Sequence, residues 1–362
     1  MTVEIGVEEI EDIALGATVL GTGGGGDPHV GKLVAKQAIE EFGPVELIPP
    51  DELDAEDFVV PTAQMGAPTV SVEKLPSGRE AVTSMERVER ELGKTADATM
   101  PIECGGINST FPFAVAARRG LPVVDADGMG RAFPELQHET FNIYGISGTP
   151  AAVSDERGNT CLIETDDNDQ LEWLARGVTV RMGGVGYVSD YPMTGAQVKE
   201  TAIPGTMSLA RDLGRALRLA EDDAMDAVRE VTRESIYGEA RSLFEGKIVD
   251  VQRRTERGFV FGHVDIDGLD EDAGSEMRIE FQNENLGATV DGSYVATVPD
   301  LITVLDRETG GPIPTESLRY GARVRVLGIR TPEIMRTPAA LDVWGPGSFG
   351  LDATYEPLAD HP

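Results

Sequence analysis

Residues 7–20 (VEEIEDIALGATVL) place apolar side chains three and four positions apart, the spacing of one helix face. The run GTGGGGDP interrupts the pattern, and a second helical stretch extends from His29 to about Phe42. Short apolar runs follow at 45–48, 58–62, 98–102 and 121–124, with helical spacing between them at 84–92 and 109–119. Strand-like runs alternating with helices predict an α/β layer with some parallel strands. Residues 151–164 (AAVSDERGNTCLIE) have the pattern of a hairpin turning at 155–159. Helical spacing returns at 168–182, 205–220 and 222–233.

The texture changes after Gly238. Segments such as GFVFGHVDIDG, MRIEFQNENLGATV and GARVRVLGI are short, rich in β-branched residues and separated by turn residues. They predict a sandwich or small barrel. The expected architecture is an α/β domain over 1–240 followed by a mainly β domain over 241–362, a length that allows two domains with a sizeable core.

Charge narrows the partners. The chain carries 63 acidic against 31 basic residues, a formal net charge of −32, and only six of the bases are lysines. The acids are dispersed, so they do not form an acidic interaction arm. Dispersed Asp and Glu with scarce lysine suit a protein soluble in concentrated salt, as in a halophile's cytoplasm, where self-repulsion is screened. No basic surface is available to hold nucleic acid or an anionic membrane. The N-terminus lacks the basic and apolar regions of a signal peptide, and no run reaches the roughly 20 apolar residues of a membrane span. Two cysteines, Cys104 and Cys161, make neither a disulfide framework nor a CxxC zinc motif. The expectation is a cytoplasmic protein.

Four segments are candidates for chemistry. In LPVVDADGMGRAFPELQ (121–137) an apolar run delivers Asp125 and Asp127 into a Gly-Met-Gly turn containing Met129, followed by Arg131 and Glu135. Acids and glycines at a strand end mark the carboxyl edge of an α/β sheet, where ligands bind. In Gly21–Asp27 four consecutive glycines (Gly23, Gly24, Gly25, Gly26) precede Asp27 and a proline suited to a helix start. Such a loop can turn N–H groups toward one anion, although it is neither a Walker loop nor a dinucleotide fingerprint. Met65 lies in QMGAPTV, which leads to Glu73 and Lys74; Glu103 and Asn108 lie in ECGGINS. Gln282 and Asn283, in FQNEN of the β domain, are amides that either sit in an exposed turn or reach toward the N-terminal site. Four scattered histidines form no HxH or HExxH pair, which leaves a divalent metal on carboxylates (Asp125, Asp127 and Glu103) as the open metal alternative.

Taken in order, GTGGGGDP, MGAPTVSVEK, ECGGINST, VVDADGMGRAFPELQ, FQNENL and VPDLITVLDRETGGPIPTESLRYG resemble the S-methyl-thiohydantoin desulfurase-like family, once a domain of unknown function. The resemblance covers nearly the whole chain, and DADGMGRAFPE is its most specific part. Cys104 departs from the pattern, which favours a small or aliphatic residue there. The resemblance implies an N-terminal α/β domain followed by a β domain, a homo-oligomer, and association with hydantoinase or oxoprolinase proteins.

It also implies a hydrolytic desulfurase acting on a small (methylthio)hydantoin-like ring. Water adds at the ring carbon bearing sulfur and a thiol leaves, which needs a base, an acid and donors for developing charge. Asp125 and Asp127 are the candidate bases, directly or through a metal ion, and Glu73 or Glu103 the candidate acid. The glycine loop, Arg131 and Lys74 are expected to hold the anionic edge of the ring. The alternatives are a partner-dependent cyclic-amide hydrolase subunit and a small-molecule-binding module without turnover.

Overall fold

A computed structural model describes residues 1–26, 28–66, 70, 74, 76–220, 223–238, 240–256 and 259–358. Asp27 and Glu73 lie outside the described residues. The N-terminal sheet contains β1 (Val3–Ile5), β2 (Val45–Ile48), β3 (Phe58–Gly66), β4 (Ala98–Met100) and β5 (Val123–Val124). After β6 (Ala126–Asp127) it continues with β7 (Ala151–Ser154), β8 (Thr160–Ile163), β9 (Val185–Ser189) and β10 (Met193–Thr194). Its order is β1-β2-β5-β4-β3-β9-β7-β8, with β10 also paired to β3. The strands β2, β5, β4 and β3 run parallel, and the others join them antiparallel. A separate two-stranded ribbon pairs β6 with β11 (Ile203–Pro204).

Helices cover this sheet because their apolar stripes have no other burial. Those relevant to the site are α1 (Val7–Leu20), α2 (Pro28–Phe42), α3 (Glu80–Leu92), α4 (Phe111–Arg119) and α5 (Thr140–Ile143), then α6 (Asn168–Arg181), α7 (Gly195–Thr201) and α8 (Thr206–Leu219). The helices predicted at 7–20 and from His29 to Phe42 coincide with α1 and α2. Ile10, Ile13, Ala17 and Leu20 of α1 are buried in one core with Leu209, Ala210 and Leu213 of α8.

The C-terminal sheet is wholly antiparallel. It comprises β12 (Ala240–Glu256), β13 (Phe259–Gly268), β14 (Glu276–Gln282), β15 (Glu284–Val290), β16 (Ser293–Thr297), β17 (Leu301–Asp306) and β18 (Arg323–Ile329), in the order β16-β15-β14-β13-β12-β18-β17. Bulges in β12 and at Glu280/Phe281 sharpen its twist. It curls until Asn285 of β15 donates its Nδ2 hydrogen to the Ile302 carbonyl of β17 at 2.9 Å. The result is a half-barrel around Ile248, Val264, Ile279, Val304 and Val326. The mainly β part therefore begins with β12 at Ala240. A helix after the last strand, α9 (Pro338–Trp344), buries Trp344 against Phe133 of the first domain, with ring centroids 4.7 Å apart.

Candidate functional site

The parallel strands β3, β4 and β5 all run toward one edge, as expected for a site at their carboxyl ends. Gln64, Met65 and Gly66 end β3, and Glu103 follows β4. The segment after β5 and β6 adds Met129 and Phe133 to Leu136. A small cavity opens there, lined also by Gly25, Gly26, Asn108, Arg176, Asn283 and Glu284. Its volume of about 70 Å³ suits a small ring rather than a peptide or nucleotide.

Glu103 is its chemical centre. Asn108 donates from Nδ2 to Glu103 Oε1 at 2.6 Å. The same amide accepts from the Gln64 backbone N–H at 2.7 Å and donates to the Gln64 carbonyl at 3.1 Å. Asn108 is thus not a helix cap; it clamps the end of β3 and aims one donor at Glu103. Burial pushes Glu103 up to about 8, against the opposing Asn108 hydrogen bond, and nearby Asp127 adds repulsion. The carboxyl is therefore protonated at neutral pH, with no hydrogen-bond partner for Oε2 among the described residues.

Glu284 stands on the other domain and was not among the expected site residues, although FQNENL contains it. Asn283 occupies the turn between β14 and β15 with φ +58°, and it brackets Val260 through N–H to carbonyl at 2.8 Å and Oδ1 from N–H at 2.9 Å. That tight turn drives Glu284 into the first domain. Burial, then repulsion from Glu103, raises its carboxyl well above the usual range, while Arg131 and the Gly25 N–H oppose the shift.

The glycine loop explains how Glu284 arrives there. A Cβ on Gly24 would collide with the Glu284 side chain. The loop was expected to gather N–H groups around a substrate anion. Instead Gly25 serves Glu284, and loop carbonyls receive the second domain: Thr22 from the Asn285 N–H at 2.8 Å and Gly23 from the Thr315 N–H at 2.9 Å. Gly25 and Gly26 still face the cavity, whereas Gly23 and Gly24 serve the domain junction. The reason is proximity of a protein carboxylate that the primary sequence places 260 positions away (284 − 24).

The acidic motif divides similarly. Asp125 turns away from the cavity: its Oδ1 accepts from the backbone N–H of Met207 at 3.0 Å and Ser208 at 2.9 Å, and Oδ2 from Ser208 Oγ at 2.5 Å. Helix α8 begins after Gly205, which has no side chain to cap it, so Asp125 supplies the cap. Asp125→Ala is expected to lower stability by about 1–2 kcal/mol with little change in activity, measurable by urea unfolding alongside an assay.

Asp127 lies beneath the cavity and is fully buried. Its Oδ2 accepts from Gly130 N–H at 2.8 Å and Met129 N–H at 3.2 Å, shaping the turn that presents Met129. Burial raises it to about 7. Asp125, Asp127 and Glu103 do not bring three ligand atoms together; among the described residues the converging group is Asp250, His263 and Asp265 on the other domain. The predicted carboxylate set therefore does not fit a divalent metal.

Arg131 is also redirected. It is completely buried and gives hydrogen bonds to the carbonyls of Asp300 (2.9 Å), Asn285 (2.6 Å), Pro299 (3.3 Å) and Ala132 (3.2 Å) and to Thr22 Oγ1 (2.7 Å). Its donors fasten the two domains together rather than meeting a substrate. Lys74 pairs with Glu156 at 2.7 Å and donates to the Met182 carbonyl at 2.7 Å, away from the cavity. Gln282 lies in the β13–β14 ladder opposite Phe261 and does not line the cavity. Cys104 is buried, and burial raises its thiol well above its ordinary value, which suits packing rather than nucleophilic attack.

Glu135 and Arg176 occupy the mouth. Burial and then Glu172 raise Glu135, which accepts from Gln137 Nε2 at 2.6 Å. Arg176 pairs with Glu172 and lies over the Phe259 ring at 4.6 Å. Sequence reading missed Arg176 as well as Gln64 and Phe133, because their role depends on strand order and on α6 crossing the sheet edge.

Buried, protonated carboxyls make stability pH-dependent. The unfolded chain releases these protons near pH 4, whereas folded Asp127 and Glu103 hold them to about 7 and 8. The folded state then binds more protons, so stability is expected to fall as pH rises from about 4 to about 8. Thermal unfolding at constant high ionic strength tests this, and Glu103→Gln should flatten the slope.

The architecture and site define a two-domain protein in which an α/β layer and a curled antiparallel sheet meet at a small cavity walled by buried acids. The chain belongs to the S-Me-THD-like family: the model of its N-terminal domain matches residues 8–165, and that of its C-terminal domain residues 166–358. The X-ray structure of a protein from Chromobacterium violaceum shares the fold, with a TM-score of 0.81 and 23% identity over 98% of this chain and 100% of that one. No curated protein matches the chain. No helix among the described residues is long and apolar enough to cross a membrane.

Proposed function

We propose that the protein hydrolyses a small (methylthio)hydantoin-like ring, replacing the ring's methylthio group by oxygen. The observation that carries this reading is the protonated Glu103 carboxyl, oriented by Asn108 on the wall of a cavity of small-heterocycle size. Water attacks the ring carbon bearing sulfur, and a new C–O bond forms. Glu135 at the mouth accepts a water proton. Glu103 delivers its proton to the departing sulfur or the adjacent ring nitrogen as the C–S bond breaks, and the hydroxyl proton of the adduct passes to the other of the two, so methanethiol and a ring carbonyl result. Glu284, whose carboxyl burial holds well above the usual range, and Asn283 offer hydrogen bonds to the ring's polar edge. Phe133 and Met129 supply its apolar walls.

The test is incubation of purified protein in high salt with an S-methylthiohydantoin and, separately, with plain hydantoin, followed by chromatography of the ring products. Conversion of the first to hydantoin is expected. Ring opening of plain hydantoin instead would move the protein to the cyclic-amide hydrolases, and the absence of either product would overturn hydrolysis.

A further inference from the structure

One face of α6 has no partner among the described residues, although its composition asks for one. Leu171, Ala175 and Thr179 turn inward and are buried. The opposite face carries Trp173, 70% exposed, and Val180, 60% exposed, with Leu174 beside them. Three of the ten large hydrophobics exposed in the described residues therefore lie on this one helix. That concentration is unusual on a surface otherwise dominated by carboxylates.

Gly177 sits in the same stripe. A glycine inside a helix is destabilising relative to alanine, and here a Cβ would meet nothing within 4 Å. The described residues of the single chain give no reason for glycine at this position; a close-packed neighbour does.

The charges define how that neighbour is arranged. Asp169 lies near the start of the helix and Arg181 at its end, and neither has an ion-pair partner among the described residues. We propose that two copies of this chain pair through the exposed face of α6, antiparallel about a two-fold axis that crosses this face at the height of residue 175, with Trp173 of each seated on Gly177 of the other. The register follows from the residue numbers: 173 and 177 are equidistant from 175, as are 169 and 181. The two-fold that sets Trp173 in the Gly177 notch therefore also sets each Asp169 opposite an Arg181, and Gln170 opposite Val180. With a net charge of −32 on each chain, self-association needs a face of this kind, where apolar surface and both charge signs are matched.

The pairing bears on the site while remaining independent of the reaction proposed above. Glu135 and Arg176, at the mouth of the cavity, also line the groove beside Trp173. A second copy on α6 would therefore border the entrance.

Sedimentation equilibrium of the full chain at about 20 µM, above a micromolar dissociation constant, measures the mass directly. Wild type is expected to be dimeric, with Trp173→Glu and Gly177→Leu each weakening association at least 100-fold. Gly177→Leu separates interface loss from unfolding, since filling open space on a helix should raise the monomer's Tm while closing the notch. Asp169→Arg should weaken the dimer, and adding Arg181→Asp should restore it. A monomeric wild type overturns the proposal, as does a dimer that Trp173→Glu and Gly177→Leu leave intact.

Discussion

Glu103→Gln is expected to lower turnover of an S-methylthiohydantoin by about 100-fold or more while the protein stays folded. Glutamine has the shape of the acid, and its amide oxygen can accept the Asn108 Nδ2 hydrogen as Glu103 Oε1 does. What it lacks is a proton that can leave. The pH profile provides a second readout. Wild-type activity should decline as pH rises through about 8, where the folded carboxyl ionises, and this limb should vanish from the residual activity of the variant. Full activity in Glu103→Gln would remove Glu103 as the acid. A loss confined to KM would make it a binding group instead.

The largest loss of stability is expected at Arg131. Replacing it with methionine preserves much of the side-chain volume but leaves the carbonyls of Asn285 and Asp300 and the Thr22 hydroxyl without their donor. It also removes the positive charge that opposes the upward shift of Glu284. Breaking a buried charge network from one side costs about 3–5 kcal/mol, and urea unfolding of variant and wild type in the same salt measures it. Lysine should rescue only part of this. It is a compact ammonium with three donors and cannot reproduce the planar fork that reaches five acceptors. A loss below about 1 kcal/mol would mean the domains are held mainly by apolar contacts such as Phe133 on Trp344.

These two residues illustrate how much of the site was legible in the chain. Glu103, Asn108, Met129, Glu135 and Asn283 were identifiable because each follows an apolar strand or occupies a turn, and all five line the cavity. Arg131 was recognisable as important, but its acceptors come from segments around Thr22, Asn285 and Asp300 that no local pattern brings together. Asp125 and Asp127 look equivalent in DADG, two positions apart. Their fates differ because α8 starts beside one and the Gly128–Gly130 turn folds over the other. Lys74 drew notice through the scarcity of lysine, yet it found an ion pair with Glu156 on the β7–β8 hairpin.

The order of helices and strands, the change of texture near residue 240 and the family motifs were determined by the sequence itself, because they rest on local periodicity and turn chemistry. The partners of the polar groups were decided only by the tertiary structure. A carboxylate's role depends on which donors surround it and how far water is excluded, and both are set by chain segments remote in sequence. The glycine loop is the clearest case: local chemistry permits it to bind an anion, and the fold fills that place with a carboxyl group from the protein's own second domain, Glu284.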